Sequence, residues 1–248
     1  MKYAKDNHAI LLTGDLGRLL TMSDGQKRHT MKALSSLSKF LGCYDSWHAA
    51  VKRHGVKWAS PNASMLAFEK ITSDTENVDS MLQWLKSALR TLPKDYGQIL
   101  RFNTLTGLRP SEALESLKLI RIERENYLKN GVLQHYKYPK VFIRRTKKAY
   151  VSIVTDDILK LALNTKSFSY QAMCIKTKRV GLPYHAEYCR QIFGTYLRDY
   201  GIEAEIVNLL QGRIPPDVFL RHYYRPNFKS KIDKVKGILT KLSMEIES

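Results

Sequence analysis

Apolar residues recur at a helical spacing in segment after segment of this chain, and that period is broken between residues 139 and 154. Over 24–41, Met31, Leu34, Leu37, Phe40 and Leu41 fall on one helix face, and Gly42 supplies a stop. Further helices are expected over about 45–54, closed by Gly55, and after Pro61-Asn62. Asn77 is placed to cap a helix carrying Val78, Met81, Leu82, Leu85 and Leu89. A helix over about 94–105 then runs into Thr106-Gly107, and Pro110 suits the first turn of the next one. Past the break the period returns over about 157–163, 169–178, 184–200 and 202–210. Pro215-Pro216 opens a segment over 217–224 that must end before Pro226. The final stretch, 228–248, carries Phe228, Ile232, Val235, Ile238, Leu239 and Leu242 as one stripe on a lysine-rich helix. Within the break, Val141-Phe142-Ile143 and 150–154 are β-branched and aromatic, and they read as two strands joined by a basic tip. The expected class is mainly α with a small antiparallel β-sheet or hairpin.

The polar, turn-prone stretch 71–78 divides the chain into a helical domain, 1–75, and a larger one, 76–248, with a C-terminal helix from about 228. A chain of 248 residues can bury a core in each. Its net charge of +18 points to a polyanion, most simply nucleic acid; 1–75 carry +5 of it and 76–248 carry +13. Cys43, Cys174 and Cys189 are scattered, with no CxxC pair, so neither a disulfide scaffold nor a zinc site is indicated. No run of 18 apolar residues and no signal-type N-terminal segment is present, so a reduced, soluble, cytoplasmic protein is expected.

Three arginines and a tyrosine pair stand in fixed order in the larger part. Arg109 lies in Thr106-Gly107-Leu108-Arg109-Pro110-Ser111-Glu112, Arg190 in Glu187-Tyr188-Cys189-Arg190-Gln191-Ile192-Phe193-Gly194-Thr195, and Arg213 in Leu210-Gln211-Gly212-Arg213. Tyr223-Tyr224 begin ten residues beyond Arg213. Arginine stays charged and presents a planar fork that matches phosphate oxygens. Three such forks and an attacking hydroxyl suffice for phosphoryl transfer without a metal. There is no GxxxxGK[ST] loop and no carboxylate cluster for paired Mg²⁺. Arg109 should sit at a helix N-terminus, where its guanidinium and the free N–H groups point at one anion. Glu187 and Arg190 are three apart and share a face. His185, on the same helix, would point about 160° away from Glu187 and reads as a DNA or surface contact.

These segments resemble the arginine boxes and the nucleophile region of the tyrosine recombinases, the phage-integrase family. The first resembles T-G-x-R-x-x-E, the second H-x-L-R-H-x-x-x-T, and the third an L-G-H followed by tyrosine. Glu187, Gln191 and Arg213 depart from the usual residues, and the combination looks most like integrases of archaeal viruses and plasmids of the fusellovirus type. The resemblance spans roughly 75–225. It implies a two-domain clamp, with 1–75 as the core-binding domain. The partner would be duplex DNA at attachment sites, held by a tetramer on two duplexes near the host nucleoid. The implied reaction cleaves and rejoins DNA through a covalent 3′-phosphotyrosine, with no metal, ATP or other cofactor. Arg109, Arg190 and Arg213 would hold the scissile phosphate. Tyr223 would attack, with Tyr224 as rival. Lys147 would protonate the leaving oxygen, with Lys148 as rival. Glu187 would accept a hydrogen bond in the site. Arg144, Arg145 and Lys148 of the hairpin tip, with Lys176, Lys178, Arg179 and His185, are candidate DNA contacts. Two other readings stay open: a non-catalytic DNA-binding protein on the same fold, and a type IB topoisomerase-like relaxase.

Overall fold

The computed structural model describes residues 2–57, 65, 68, 72, 77–166, 168–214 and 222–247. The chain divides into two compact units, Met1–Ser73 and Asp74–Ser248. The helices expected after Pro61-Asn62 and over 217–224 fall largely outside the described residues. Among the described residues, no helix is long and apolar enough to cross a membrane.

The first unit is helical. Short helices α1 (Lys2–Asn7), α2 (Ala9–Thr13) and α3 (Gly17–Leu20) precede α4 (Asp24–Phe40) and α5 (Tyr44–Arg53). Its core gathers Leu16, Leu19, Met31, Leu34, Trp47 and Val51. Phe40 and Leu41, expected on the buried face, are exposed. The Trp47 indole N–H donates to Ser35 Oγ at 2.9 Å, and the buried positions of α4 are Thr30, Met31, Leu34 and Ser38. The buried face thus runs through 30, 31, 34 and 38, and the far end of the apolar stripe is left in solvent.

In the second unit, Asn77 Oδ1 accepts from Ser80 N–H at 2.9 Å and starts α6 (Val78–Thr91). The next helix, α7 (Lys94–Thr106), is central: Ile99, Leu100, Phe102 and Leu105 are all buried. It packs against α6, against α8 (Pro110–Ile122), and against α11 (Asp156–Asn164) and α13 (Ala186–Asp199) from later in the chain. The C-terminal helix α15 (Phe228–Glu247) buries Val235, Ile238, Leu239, Leu242 and Ile246 against α6, α7 and α13 of its own unit. Arg101 fastens it further, donating to Ser243 Oγ at 2.7 Å and pairing with Glu247.

A helical turn, α9 (Arg124–Tyr127), leads into a three-stranded antiparallel sheet in the order β1 (Leu128–Lys129), β2 (Val132–Leu133), β3 (Ser152–Ile153). The β1–β2 hairpin turns on Asn130-Gly131, both at positive φ, the requirement of a two-residue hairpin loop. The strand expected over 141–143 is instead a helical turn, α10 (Pro139–Phe142). Pro139 fixes the φ of a first helical position and lacks the N–H a ladder would use. The Phe142 ring is buried in the core rather than in a pleat. What closes the basic tip is one bridge, Ile143 to Lys148. The strand expected over 150–154 contracts to Ser152–Ile153. Among the described residues the remaining α-helices are α12 (Tyr170–Arg179), capped by Ser169 Oγ on Ala172 N–H at 3.1 Å, and α14 (Ala204–Leu210).

Candidate active site

The first arginine is placed by a break between two helices. Gly107 ends α7 in the left-handed region, and a Cβ there would fall 2.4 Å from the Phe193 ring of α13. Only glycine satisfies both conditions. Two residues on, Arg109 caps α8 in an extended conformation, with Pro110 in its first turn. Glu112 reaches back and accepts from the Arg109 backbone N–H at 3.0 Å, one half of a capping box. The same carboxylate, 1% exposed, accepts from Arg109 Nη1 at 2.9 Å and from Arg144 Nη2 at 2.7 Å. Glu112 therefore fixes two guanidinium groups at once. Sequence reasoning used it only as a letter of the motif, although its position two residues beyond a helix-opening proline marks it as a capping carboxylate.

The third box is joined to the basic turn through backbone. Gly212 has positive φ, and a Cβ on it would lie 1.7 Å from the Lys148 carbonyl oxygen. That carbonyl also accepts from Arg109 Nη1 at 3.1 Å. The main chain of the turn is thus held between the first and third boxes. Ala149 is buried, while Lys147 and Lys148 both present exposed side chains.

Arg190, on α13, ties the second box to both. Its Nη1 donates to the Gly107 carbonyl at 2.9 Å and its Nη2 to the Gln211 carbonyl at 2.9 Å; Gln211 Nε2 returns a bond to the Arg190 carbonyl at 2.8 Å. Burial pushes its pKa down to about 10, and the positive charges of Arg109 and Arg213 push the same way, against the pull of Glu112. It is still charged at neutral pH, and three of its five N–H donors have no hydrogen-bond partner among the described residues.

These side chains line one groove of about 470 Å³: Arg109, Arg144, Lys147, Glu187, Arg190 and Arg213, with Tyr170 at its side. Five of the six residues expected to be catalytic thus meet in one place. The sixth, Tyr223, is exposed and does not line the groove, and 215–221, which lead to it, lie outside the described residues. Tyr224 is half-buried against the main core, and burial raises its phenol pKa. Arg144, expected only to touch DNA, is a groove residue held by Glu112. Arg145, Lys148, Lys178 and Arg179 are exposed and outside the groove, and Lys176, half-buried, is outside it as well.

His185 corrects an expectation. The helix begins at Ala186 rather than near 184, because His185 has a non-helical backbone and stands as its N-cap instead of pointing away from Glu187 within it. Its Nδ1 lies 3.4 Å from Glu187 Oε1. The ring stacks on Tyr188, with centroids 4.6 Å apart, and meets the Trp84 ring edge-on. Tyr170 was missed altogether: it opens α12, and nothing in its local sequence marks it. Burial raises its phenol pKa, as do Cys174 and the charge of Glu187.

Among the described residues, no group of three or more His, Cys, Asp or Glu side chains could hold a metal ion. No family model matches the sequence, and no curated protein matches it either.

Proposed function

We propose that this chain cleaves and rejoins DNA as a tyrosine recombinase, with the arginine groove as its phosphodiester site. The observation that carries the reading is the state of Arg190, a largely buried guanidinium whose charge is opposed by two other guanidinium groups from separate parts of the chain. The groove holds five cationic side chains, and the carboxylates beside them are Glu112 and Glu187. A site built this way is stabilised by an anion, most of all by one that gains charge, as a phosphodiester does on becoming pentavalent.

In this reading the Tyr223 hydroxyl oxygen attacks the phosphorus in line. The P–O5′ bond breaks, and a 3′-phosphotyrosine retains the bond energy. Lys147, in the groove and without a side-chain partner among the described residues, gives its proton to the departing 5′-oxygen. Glu187 faces the same groove and can receive the phenol proton. Attack by a 5′-hydroxyl on the phosphotyrosine reverses each step and reseals the strand. Residues 1–75 supply the second jaw of a clamp on the duplex, and strand exchange uses four protomers on two duplexes.

The test is a pool of randomised duplexes carrying nicks, so that the short cleaved product diffuses away and covalent complexes accumulate. The expected result is an adduct that mass spectrometry places on Tyr223 and that Tyr223→Phe abolishes, with DNA binding retained. An adduct on Tyr224 would move the nucleophile. Binding with no adduct would favour the second reading, a non-catalytic DNA-binding protein. The specific observation on its side is that Tyr223 stands exposed and outside the groove.

A further inference from the structure

A second concavity, of about 370 Å³, lies between the facing sides of α13 and α14. Arg190, Gln191, Thr195 and Arg198 enter it from α13; their offsets of one, five and eight residues keep them on one side of a helix. Asn208 lines it from α14, and Arg213 contributes from beyond that helix. Arg190 and Arg213 also line the first groove, so the two sites share a wall of two guanidinium groups. Among the described residues no carboxylate lines the second concavity, whereas Glu187 lines the first. Arg198 spends one donor on the Ile202 carbonyl at 2.7 Å, which fixes its fork and leaves the other N–H groups for a ligand. Arg213 has no side-chain partner among the described residues.

We propose that this concavity is a second phosphate subsite, which takes the phosphate next to the one held in the first groove on the same DNA strand. The inference rests on the DNA reading given above. A ligand with two anions astride a shared pair of arginines matches a continuous phosphodiester strand better than it matches a lone anion. Gln191, Thr195 and Asn208 supply neutral donors to phosphate oxygens, the kind of contact that sets register along a backbone without reading bases. Arg198, outside the first groove, serves the second alone.

Salt dependence of binding to a random-sequence duplex tests this without knowledge of a target site. Each phosphate neutralised contributes about 0.9 to the slope of log affinity against log salt. Arg198→Gln and Asn208→Asp should each flatten the slope by about that amount, with both variants folded at the assay temperature. The second variant adds a carboxylate that competes for the subsite and does not depend on the Arg198–Ile202 bond. Steep wild-type binding with slopes unchanged in both variants overturns the subsite and leaves the DNA reading standing. A flat wild-type slope overturns both. A third arm adds inorganic phosphate. If phosphate raises the melting temperature of the wild type but not of Arg198→Gln, while the duplex slopes stay equal, the concavity takes a free anion and the DNA assignment is lost.

Discussion

Arg109 and Arg213 line the same groove but are held by opposite means. Arg109 is fixed through its side chain, to the nearly inaccessible carboxylate of Glu112 and to the Lys148 carbonyl. Arg213 is fixed through its backbone: Gly212 before it seats against that same carbonyl, while its own guanidinium is exposed and without a partner among the described residues. The first arginine is preorganised by the fold. The third is positioned by the fold and left for the ligand to organise. The comparison predicts that changes at either backbone anchor or at Glu112 cost stability, and that loss of the Arg213 guanidinium costs activity alone.

The largest effect should come from Glu112→Ala. It strips two guanidinium groups of a shared buried partner, and breaking such a pair costs about 3–5 kcal/mol. The low end is expected, because Arg144 is partly exposed and water screens it. Denaturant unfolding measures this. Glu112→Gln, which keeps an acceptor of the same shape, should lose less. Equal stability of Glu112→Ala and wild type would break the comparison at its first member.

Gly212→Ala should follow. A non-glycine residue in a strained backbone region costs about 1–3 kcal/mol, and here the new methyl also meets a backbone carbonyl that cannot rotate away. The basic turn must then shift, and with it Lys147 and the acceptor of Arg109. Stability and adduct formation should fall together. Arg213→Ala, one position on, should lower adduct formation alone.

The features that were legible in the sequence are those whose cause is local. Asn77 and Ser169 cap helices because their side chains reach the N–H three residues on. The stripe from Val235 to Leu242 is buried because it is periodic, and Ile246 extends it by one turn beyond the residues read from the sequence. The arginine boxes were legible as motifs. What they do to one another was not, because it runs through contacts distant in sequence: Arg190 to Gly107, Gly212 to Lys148, Arg144 to Glu112. Val141-Phe142-Ile143 misled because β-branched and aromatic residues suit any buried surface, and Pro139 outweighed their strand preference. The Asn130-Gly131 hairpin carried a local signal that was passed over. His185 was misplaced by the one or two residues that separate expected from observed helix starts, enough to turn a distant ring into a neighbour of Glu187.

Acid should separate the two boxes as well. Beneath the first lies a buried chain. Tyr127 Oη stands 3.0 Å from Ser116 Oγ and 2.5 Å from His135 Nδ1; His135 Nε2 stands 2.9 Å from Ser152 Oγ, which donates to the Thr106 carbonyl at 3.3 Å. With Ser152 donating to Thr106, His135 donates from Nε2 to Ser152 Oγ. Burial pushes its pKa down to about 3. The unfolded chain takes up this proton below about pH 6.5 and the folded one does not, so stability is complete above 6.5 and drains away as pH falls towards 3. Unfolding at pH 5 should show about 2 kcal/mol less stability than at pH 8 from this group. His135→Gln should flatten that dependence, and an unchanged slope would place the acid sensitivity elsewhere. Arg213→Ala should leave it as it is in the wild type.

The smallest stability effect is the sharpest test of function. Arg213→Ala removes an exposed side chain with no partner among the described residues, so its unfolding free energy should stay within about 0.5 kcal/mol of wild type. If the groove is a phosphodiester site, the same substitution withdraws a donor aimed at developing charge, and adduct formation should slow on the order of 10²–10³-fold. Duplex affinity should change only modestly, because one contact among many is lost. Arg213→His asks what the position needs. If one hydrogen bond to a non-bridging oxygen is enough, the imidazole retains much of the rate; if the site needs a fixed positive charge, the rate follows the ring's protonation and falls as pH rises past about 6.5. A variant Arg213→Ala that is stable and cleaves at the wild-type rate would remove the third box from the site. The guanidinium left to the ligand would then be an ordinary surface arginine.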